Sequence, residues 1–311
     1  MTRPTKLAER LFIIDTMDLG MPERTGCYVL LENEGVTLIE TSASPSKPFI
    51  EKGLLDLNLG LKDIKRIILT HIHLDHAGGA GLFASECPEA KIIVHPKGIR
   101  HLANPTRLIE GAKAVYGTQF DPLFNPILPI PFEQMIAMTH GEELCLSPDR
   151  TLTFLDHPGH AKHHYGIFDS LTKGMFVGDT VGVHYKTLEE MGQPLYLPST
   201  SPNQFDPDAM RASIASIQSF HPERLYFGHY SMSENVDEAY RQVLMWLDLF
   251  LEAAETVFKK KGDHESLVKS LRDLVYSKSD ADRLPDGHLE RQMIELDLQV
   301  SAMGLLDYFQ R

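Results

Sequence analysis

The stretch IKRIILTHIHLDHAGG, residues 64–79, decides the fold and chemistry expected of this sequence. Residues 64–70 are rich in branched apolar side chains, which predicts a buried β-strand. Directly after it come four groups that can bind a metal, namely His71, His73, Asp75 and His76. Imidazole and carboxylate groups suit zinc or another divalent first-row metal, and a strand end can hold them rigidly. The density of these groups favours a metal site over an ordinary surface loop.

Three further metal-competent residues follow later predicted strands. They are His160 after LTFLD, Asp179 after MFVG and His229 after YFG. Each stands where a strand gives way to a loop. We therefore expect these side chains to join the first four in one site.

The rest of the first 230 residues alternates between strand and helix patterns. Short apolar runs at residues 11–15 and 27–41 predict a β-meander with a turn at Glu32–Gly35. Residues 152–157, 165–170 and 174–179 predict further strands, the last two as a hairpin. This order of elements predicts an α/β sandwich.

Two regions do not follow this alternation of predicted strands and helices. Residues 97–140 predict an insertion near the mouth of the site, with a helix over 105–116 and a proline-rich loop over 121–132 that is not helical. From residue 233 onward the apolar spacing is helical. The predicted domains are a catalytic domain over residues 1–232 and a helical C-terminal extension over residues 233–311.

The motifs HIHLDH, HPGHAKHH, VGDT and FGH occur in the order typical of one family. Over residues 10–232 the chain resembles the metallo-β-lactamase superfamily, in its glyoxalase II-like branch of dinuclear metal hydrolases. The resemblance implies an αββα sandwich. It implies two divalent metal ions, zinc first and iron or manganese as alternatives. It assigns one ion to His71, His73 and His160, the other to Asp75, His76 and His229, and makes Asp179 the bridge.

The implied reaction is hydrolysis of a small ester, thioester or lactone by a hydroxide that the two ions share. The expected catalytic residues are Asp75, Asp179 and His164. His164 stands four residues after His160, where it either orients a ligating imidazole or is a surface loop histidine. Gly182 occupies the position at which lactone-cleaving relatives carry a tyrosine, which weakens the resemblance to lactone hydrolysis. Tyr185 is a candidate for that role, although the interpretation that we favour for it is a packing residue.

Three other functions stay open at this point. A persulfide dioxygenase-like oxidoreductase would bind a single iron through His71 or His73, His160 and Asp179. A phosphodiesterase of small molecules would use both ions, because two metals also clamp a phosphate. A ligand sensor or regulatory protein would have a vestigial metal site, and the complete set of seven metal-ligand candidates speaks against it.

Composition limits the partners. The net charge of −13 argues against nucleic acid and anionic membrane surfaces. Three widely spaced cysteines and the absence of a long apolar run favour a cytoplasmic protein without a membrane span. The expected partners are a small-molecule substrate and a second copy of the chain, bound through the C-terminal helices or the insertion. The alternative for the helices is to cap the pocket.

Overall fold

The computed structural model describes residues 3–311, which form two compact units. The first unit contains the chain up to Asp156 together with His163–Gly178 and Pro222–Met232. The second unit contains His157–Lys162, Asp179–His221 and Ser233–Arg311. Each unit is thus assembled from segments that are far apart in the sequence.

The strands form two large sheets and one short ladder. The first sheet is built, in this hydrogen-bonded order, from β1 Thr5–Ala8, β2 Leu11–Asp15, β3 Gly26–Glu32, β4 Gly35–Ile39, β5 Ile64–Ile68, β6 Lys91–Val94 and β7 Met135–Ala137. The other strands are β8 Glu143–Ser147, β9 Arg150–Asp156, β10 Tyr165–Asp169, β11 Gly174–Gly178, β12 Val183–His184, β13 Tyr196–Leu197, β14 Arg224–Phe227 and β15 Met232–Ser233. The second sheet has the order β15, β14, β11, β10, β9, β8, and β12 pairs with β13 alone.

The helices lie between and after these strands. In the first unit they are α1 Lys47–Asp56, α2 Leu74–Ala77, α3 Ala80–Glu86, α4 Ile99–Ala103, α5 Thr106–Tyr116 and α6 Phe120–Phe124. In the second unit they are α7 Lys186–Glu190, α8 Pro207–Ser219, α9 Val236–Lys259, α10 His264–Lys278 and α11 Leu289–Gln310.

Both faces of the first sheet are buried, because successive side chains of a strand point to opposite sides. Ile68 of β5 belongs to a core cluster that also contains Phe154 and Ile167 of the second sheet, so the two sheets face each other. Ile67, the preceding residue, belongs to another cluster that contains Ile50 of α1. This two-sided burial explains the apolar run from which the strand was predicted.

Pairing in the first sheet positions the candidate site. The antiparallel meander β2, β3, β4 is confirmed, with its turn between Glu32 and Gly35. From β4 onward the strands are parallel, and Ile39 of β4 pairs with Ile68 of β5. The carboxyl ends of these two strands therefore meet at one sheet edge, and the residues after them emerge side by side.

The insertion differs in part from the prediction. The expected helix over 105–116 is confirmed as α5. The prediction that residues 121–132 contain no helix is wrong at its start, because Phe120–Phe124 forms α6. Pro122 stands in the first turn of this helix, where a missing N–H costs no intrahelical hydrogen bond.

The C-terminal region is helical, as predicted. Helices α9, α10 and α11 pack against one another. Trp246 and Phe250 of α9 and Leu298 and Leu305 of α11 are buried. Among residues 3–311, no helix combines the length and the apolar character needed to cross a membrane.

Candidate metal centre

The loop after β5 carries four of the predicted ligands. His71 is fully buried, and its Nδ1 lies 3.0 Å from the hydroxyl of Thr70, a contact that fixes the orientation of the ring. His73 precedes α2, and its ring centroid lies 4.7 Å from that of His71. A ring nitrogen of His71 lies within 4.8 Å of a ring nitrogen of His73, and a ring nitrogen of His71 lies within 4.8 Å of one of His76. The strand and the short helix thus turn three imidazoles toward one another.

Asp75 and His76 lie within α2, and a buried carboxylate stands behind them. His76 Nε2 is 3.7 Å from Asp75 Oδ2, and His76 Nδ1 is 3.2 Å from Glu40 Oε2. The second Glu40 oxygen accepts a hydrogen bond of 2.7 Å from the backbone N–H of Thr70. Glu40 therefore orients His76 and connects it to the neighbouring strand end.

Sequence reasoning missed Glu40, although a signal was present. Glu40 directly follows β4, as the predicted ligands follow their own strands. It is 2% exposed, which is rare for a carboxylate that has no structural or functional partner. A carboxylate directly after a predicted strand is the sequence pattern that would have found it.

His229 completes the metal-competent group of the first unit. Ligand atoms of Asp75, His76 and His229 all lie within 4.8 Å of one another. The turn that carries His229 is anchored by Tyr28, whose hydroxyl lies 2.6 Å from the carbonyl of Phe227 and 2.7 Å from that of Ser231. Tyr28, which belongs to β3, is a second supporting residue that the motifs did not indicate.

His164 is a buried residue, so the alternative that it is a surface histidine is wrong. Its ring stacks on that of His71 with centroids 4.8 Å apart and an interplanar angle of 27°. Gly178 makes room for it. A Cβ at this left-handed position (φ 45°) would lie 2.5 Å from His164 Nε2 and 2.7 Å from Thr70 Oγ1. The glycine before Asp179 is therefore required by the packing of the histidine cluster.

His163, beside it, also contributes a ring to the cluster. Its centroid lies 5.6 Å from that of His73 in an edge-on arrangement. His157 lies elsewhere, in the second unit, where its Nε2 is 3.2 Å from the hydroxyl of Ser216. His157 thus contacts α8 rather than another predicted ligand in its own unit.

The remaining two predicted ligands, His160 and Asp179, lie in the second unit and approach each other there. His160 Nε2 is 3.6 Å from Asp179 Oδ2, and both side chains are buried. His160 Nδ1 donates to the carbonyl of Ser199 over 3.0 Å, and the Ser199 hydroxyl donates to Asp179 Oδ2 over 3.2 Å. Ser199 had no motif to reveal it, because it acts partly through its backbone.

A further buried carboxyl belongs to the first unit. Asp18 is fully buried, and its Oδ2 lies 3.4 Å from Nε of Arg24. Loss of hydration on burial raises the pKa of Asp18 to about 6, against the opposing effect of the Arg24 guanidinium. The Asp75 carboxylate raises the pKa of Asp18 further through charge repulsion. Asp18 and Asp75 thus concentrate negative charge beside His76 and His229.

Comparison with known proteins identifies the family. The model of the metallo-beta-lactamase superfamily matches residues 21–229, which contain all seven predicted ligands. The chain belongs to this superfamily.

Two curated relatives share part of the sequence. The probable metallo-hydrolase YqjP of Bacillus subtilis (strain 168) is 24% identical over 169 residues, 48% of this chain and 50% of that protein. The metallo-beta-lactamase fold-containing protein ST1585 of Sulfurisphaera tokodaii is 25% identical over 167 residues, 53% of this chain and 59% of that protein. The chain thus spans about half the length of the curated relatives that it matches.

Solved structures match over nearly the whole chain. A metallo-beta-lactamase family protein of Thermus thermophilus, TTHA1429, has a TM-score of 0.69 at 17% identity, covering 98% of this chain and 94% of its own. The archaeal superfamily protein ST1585 from Sulfolobus tokodaii has a TM-score of 0.66 at 20% identity, covering 95% and 97%. The predicted αββα fold class, with a helical insertion and a helical C-terminal extension, is confirmed. The fold also implies divalent metal binding, for which the His and Asp groups described above are candidate ligands.

Proposed function

We propose that this chain is a metal-dependent hydrolase of the glyoxalase II-like type that cleaves a small ester, thioester or lactone. The observation that carries the proposal is the convergence of Asp75, His76 and His229, whose ligand atoms lie within 4.8 Å of one another. These residues come from two motifs more than 150 positions apart in the sequence. A chance surface cluster would not bury both imidazoles, as happens here.

The donor set fits a divalent first-row metal. It consists of imidazole nitrogens and carboxylate oxygens, without a thiolate, which suits zinc, manganese or iron. Outer partners fix the rings, since Thr70 contacts His71 and Glu40 contacts His76. Ligating histidines in metalloproteins commonly have such partners on the second ring nitrogen.

The proposed assignment uses all seven residues, as the motif resemblance implies. His71, His73 and His160 would hold one ion, Asp75, His76 and His229 would hold the other, and Asp179 would contact both. Bound divalent ions supply a water of lowered pKa and a positive charge for the developing oxyanion. Asp75 and Asp179 contribute the negative charge that retains the ions. His164 is a positioning residue, because its stacking on His71 restricts that ring.

The substrate class is inferred from charge and from the missing nucleophile motifs. The net charge of −13 disfavours polyanionic nucleic acid, which supports a small molecule. The sequence has no GxSxG elbow, so the proposed hydrolysis needs no serine nucleophile. Tyr185 is not offered as a substrate contact, because it is 1% exposed and its hydroxyl donates to Asp297 over 2.9 Å.

The test is a substrate panel run on metal-reconstituted protein. The 311-residue chain is stripped with a chelator, reloaded with Zn²⁺, Mn²⁺ or Fe²⁺, and assayed on esters, thioesters, lactones, phosphodiesters and persulfides. His73→Asn is the site variant, and His221→Asn is the matched control at an exposed position with φ 48° that asparagine tolerates. We expect hydrolysis of a thioester or lactone that His73→Asn abolishes and His221→Asn keeps.

Other results of this experiment would indicate one of three alternative functions. Preference for a phosphodiester would indicate the phosphodiesterase. One iron per chain with oxygen consumption on persulfides would indicate the dioxygenase. Metal binding without turnover of any substrate would indicate a ligand sensor.

A further inference from the structure

The segment formed by residues 199–201 contacts both metal-ligand candidates of the second unit, His160 and Asp179. The carbonyl of Ser199 accepts a hydrogen bond from His160 Nδ1, and the hydroxyl of Ser199 donates one to Asp179 Oδ2. The hydroxyl of Ser201 donates to the backbone carbonyl of His160 over 3.1 Å. Both ends of this short segment are thus hydrogen-bonded to these two ligand candidates.

Helix α11, near the C-terminus, holds this segment in turn. The hydroxyl of Thr200, between the two serines, donates to the carbonyl of Ser301 over 2.9 Å. Gly304, three residues further along α11, packs directly on the backbone of the segment. A Cβ at Gly304 would lie 2.0 Å from the Thr200 carbonyl oxygen and 2.7 Å from the Ser201 carbonyl carbon.

Glycine is needed at position 304 because a side chain would not fit there, and not because the backbone adopts a conformation that favours glycine. Gly304 lies inside α11 and has no positive φ. Alanine is the better helix former by about 1 kcal/mol, so local propensity favours alanine here. The atoms in the way are backbone atoms, which cannot move aside as a flexible side chain can. Replacing Gly304 would therefore displace the segment that supports the ligands.

The same helix also holds the chain that follows Asp179. Glu290, in the first turn of α11, accepts hydrogen bonds from the backbone N–H groups of Thr187 and Leu188 over 2.8 and 3.1 Å. These are N–H groups of the first turn of α7, which would otherwise be unsatisfied. The stretch from Asp179 to α7 is thereby tied to α11 at its far end.

We propose that α11 is a positioning element for the metal ligands His160 and Asp179, acting through Gly304, Thr200 and Ser199. The inference rests on the proposed function, since it concerns these two residues as ligands. The Ser199 carbonyl requires the proton on His160 Nδ1, which leaves Nε2 as the ligating nitrogen. A shift of the segment would disturb this ring and the Asp179 carboxylate together, so metal affinity depends on a helix that contains no ligand.

The test measures Zn²⁺ binding by calorimetric titration of the chelator-treated 311-residue protein. Gly304→Ala is compared with Gly111→Ala, a glycine inside helix α5 with no atom within 4 Å of the added Cβ. We expect Gly304→Ala to weaken Zn²⁺ binding by about 10- to 100-fold, the usual range for lost outer-sphere support. Gly111→Ala, which makes the same chemical change in open space, is expected to bind as the wild type does.

A second pair of variants covers the case in which Gly304→Ala does not fold. Thr200→Val removes the hydroxyl that donates to Ser301 and keeps the shape, whereas Thr200→Ser keeps the hydroxyl. We expect weaker Zn²⁺ binding for Thr200→Val and recovery of wild-type binding for Thr200→Ser. Circular dichroism of the metal-free variants establishes that each is folded before its affinity is compared.

The outcomes separate the two claims. Wild-type protein that binds no Zn²⁺ would overturn the proposed function. Wild-type protein that binds Zn²⁺, with folded Gly304→Ala or Thr200→Val binding equally well, would overturn this inference and leave the proposed function standing. A Thr200→Ser variant as weak as Thr200→Val would show that the hydroxyl is not the connecting group.

Discussion

The Glu40 carboxylate lies 3.2 Å from Nδ1 of His76, and both side chains are almost completely buried. The pair joins two neighbouring parallel strand ends, because Glu40 follows β4 and His76 belongs to the loop and helix after β5. Such an arrangement holds an imidazole in one orientation before any ion binds, which lowers the entropic cost of binding.

Glu40→Gln is expected to weaken metal binding at the group of Asp75, His76 and His229. The glutamine keeps an acceptor for the Thr70 N–H but loses the charge that faces His76. We expect a loss of about tenfold or more in Zn²⁺ affinity, measured by competition with a chromophoric chelator. Glu34→Gln, at an exposed turn, is the matched control. Equal affinity of Glu40→Gln and the control would show that Glu40 does not support the site.

Gly178→Ala is expected to destabilise the protein more than Gly192→Ala. Both glycines have left-handed φ values, 45° and 78°, so alanine costs each about 1 kcal/mol in backbone strain. Only at Gly178 does the new Cβ also meet His164 and Thr70, which adds about 1–3 kcal/mol from overpacking. Urea unfolding of the two variants measures the difference. Equal destabilisation would mean that the histidine cluster moves aside without cost.

Tyr28→Phe is expected to loosen the turn that carries His229. The variant leaves the buried carbonyls of Phe227 and Ser231 without this hydroxyl, at a cost of about 1–3 kcal/mol in unfolding free energy. Tyr240→Phe is the control, since the buried Tyr240 hydroxyl has no hydrogen-bond partner within residues 3–311. Chemical denaturation should separate the two. A smaller effect at Tyr28 than at Tyr240 would contradict the anchoring role.

Asp18 predicts a pH-dependent loss of stability in the metal-free protein. Burial raises its pKa from 3.8 to about 6, so the folded state disfavours the ionised carboxyl. This cost is fully present above the folded pKa and disappears as the pH falls below the unfolded pKa. Asp18→Asn, which cannot ionise, should therefore gain stability relative to wild type as the pH rises from about 4.5 to about 7, by on the order of 2 kcal/mol. Unfolding curves of both proteins at each pH test this. A stability difference that does not change with pH would refute the pKa rise.

The strand ends and their ligand types could be predicted from local sequence. The loop around His71 follows a strand that is apolar on both faces, and such a strand leaves a clear signal in one sequence. The meander and α5 could be predicted because they too are local patterns, and the structure confirms both. The prolines of residues 121–132 predict no helix there, yet α6 forms because the first turn of a helix tolerates Pro122.

The supporting residues could not be found in the same way. Ser199 acts through a backbone carbonyl, which every residue possesses, and Gly304 acts by the side chain it lacks. Their roles depend on contacts between distant parts of the sequence, such as the hydrogen bond from Thr200 to Ser301. Local periodicity carries no information about such pairs. The grouping of His160 and Asp179 with the C-terminal helices in one compact unit is likewise a matter of distant contacts.

The proposed function requires that the seven candidate ligands hold two divalent ions, with Asp179 as the bridge between them. The most direct test is elemental analysis of purified wild-type protein and of Asp179→Ala, with hydrolysis of the active substrate followed in parallel. We expect two divalent ions per wild-type chain, and loss of both metal and hydrolysis in the variant. Two retained ions and full hydrolysis in Asp179→Ala would contradict it.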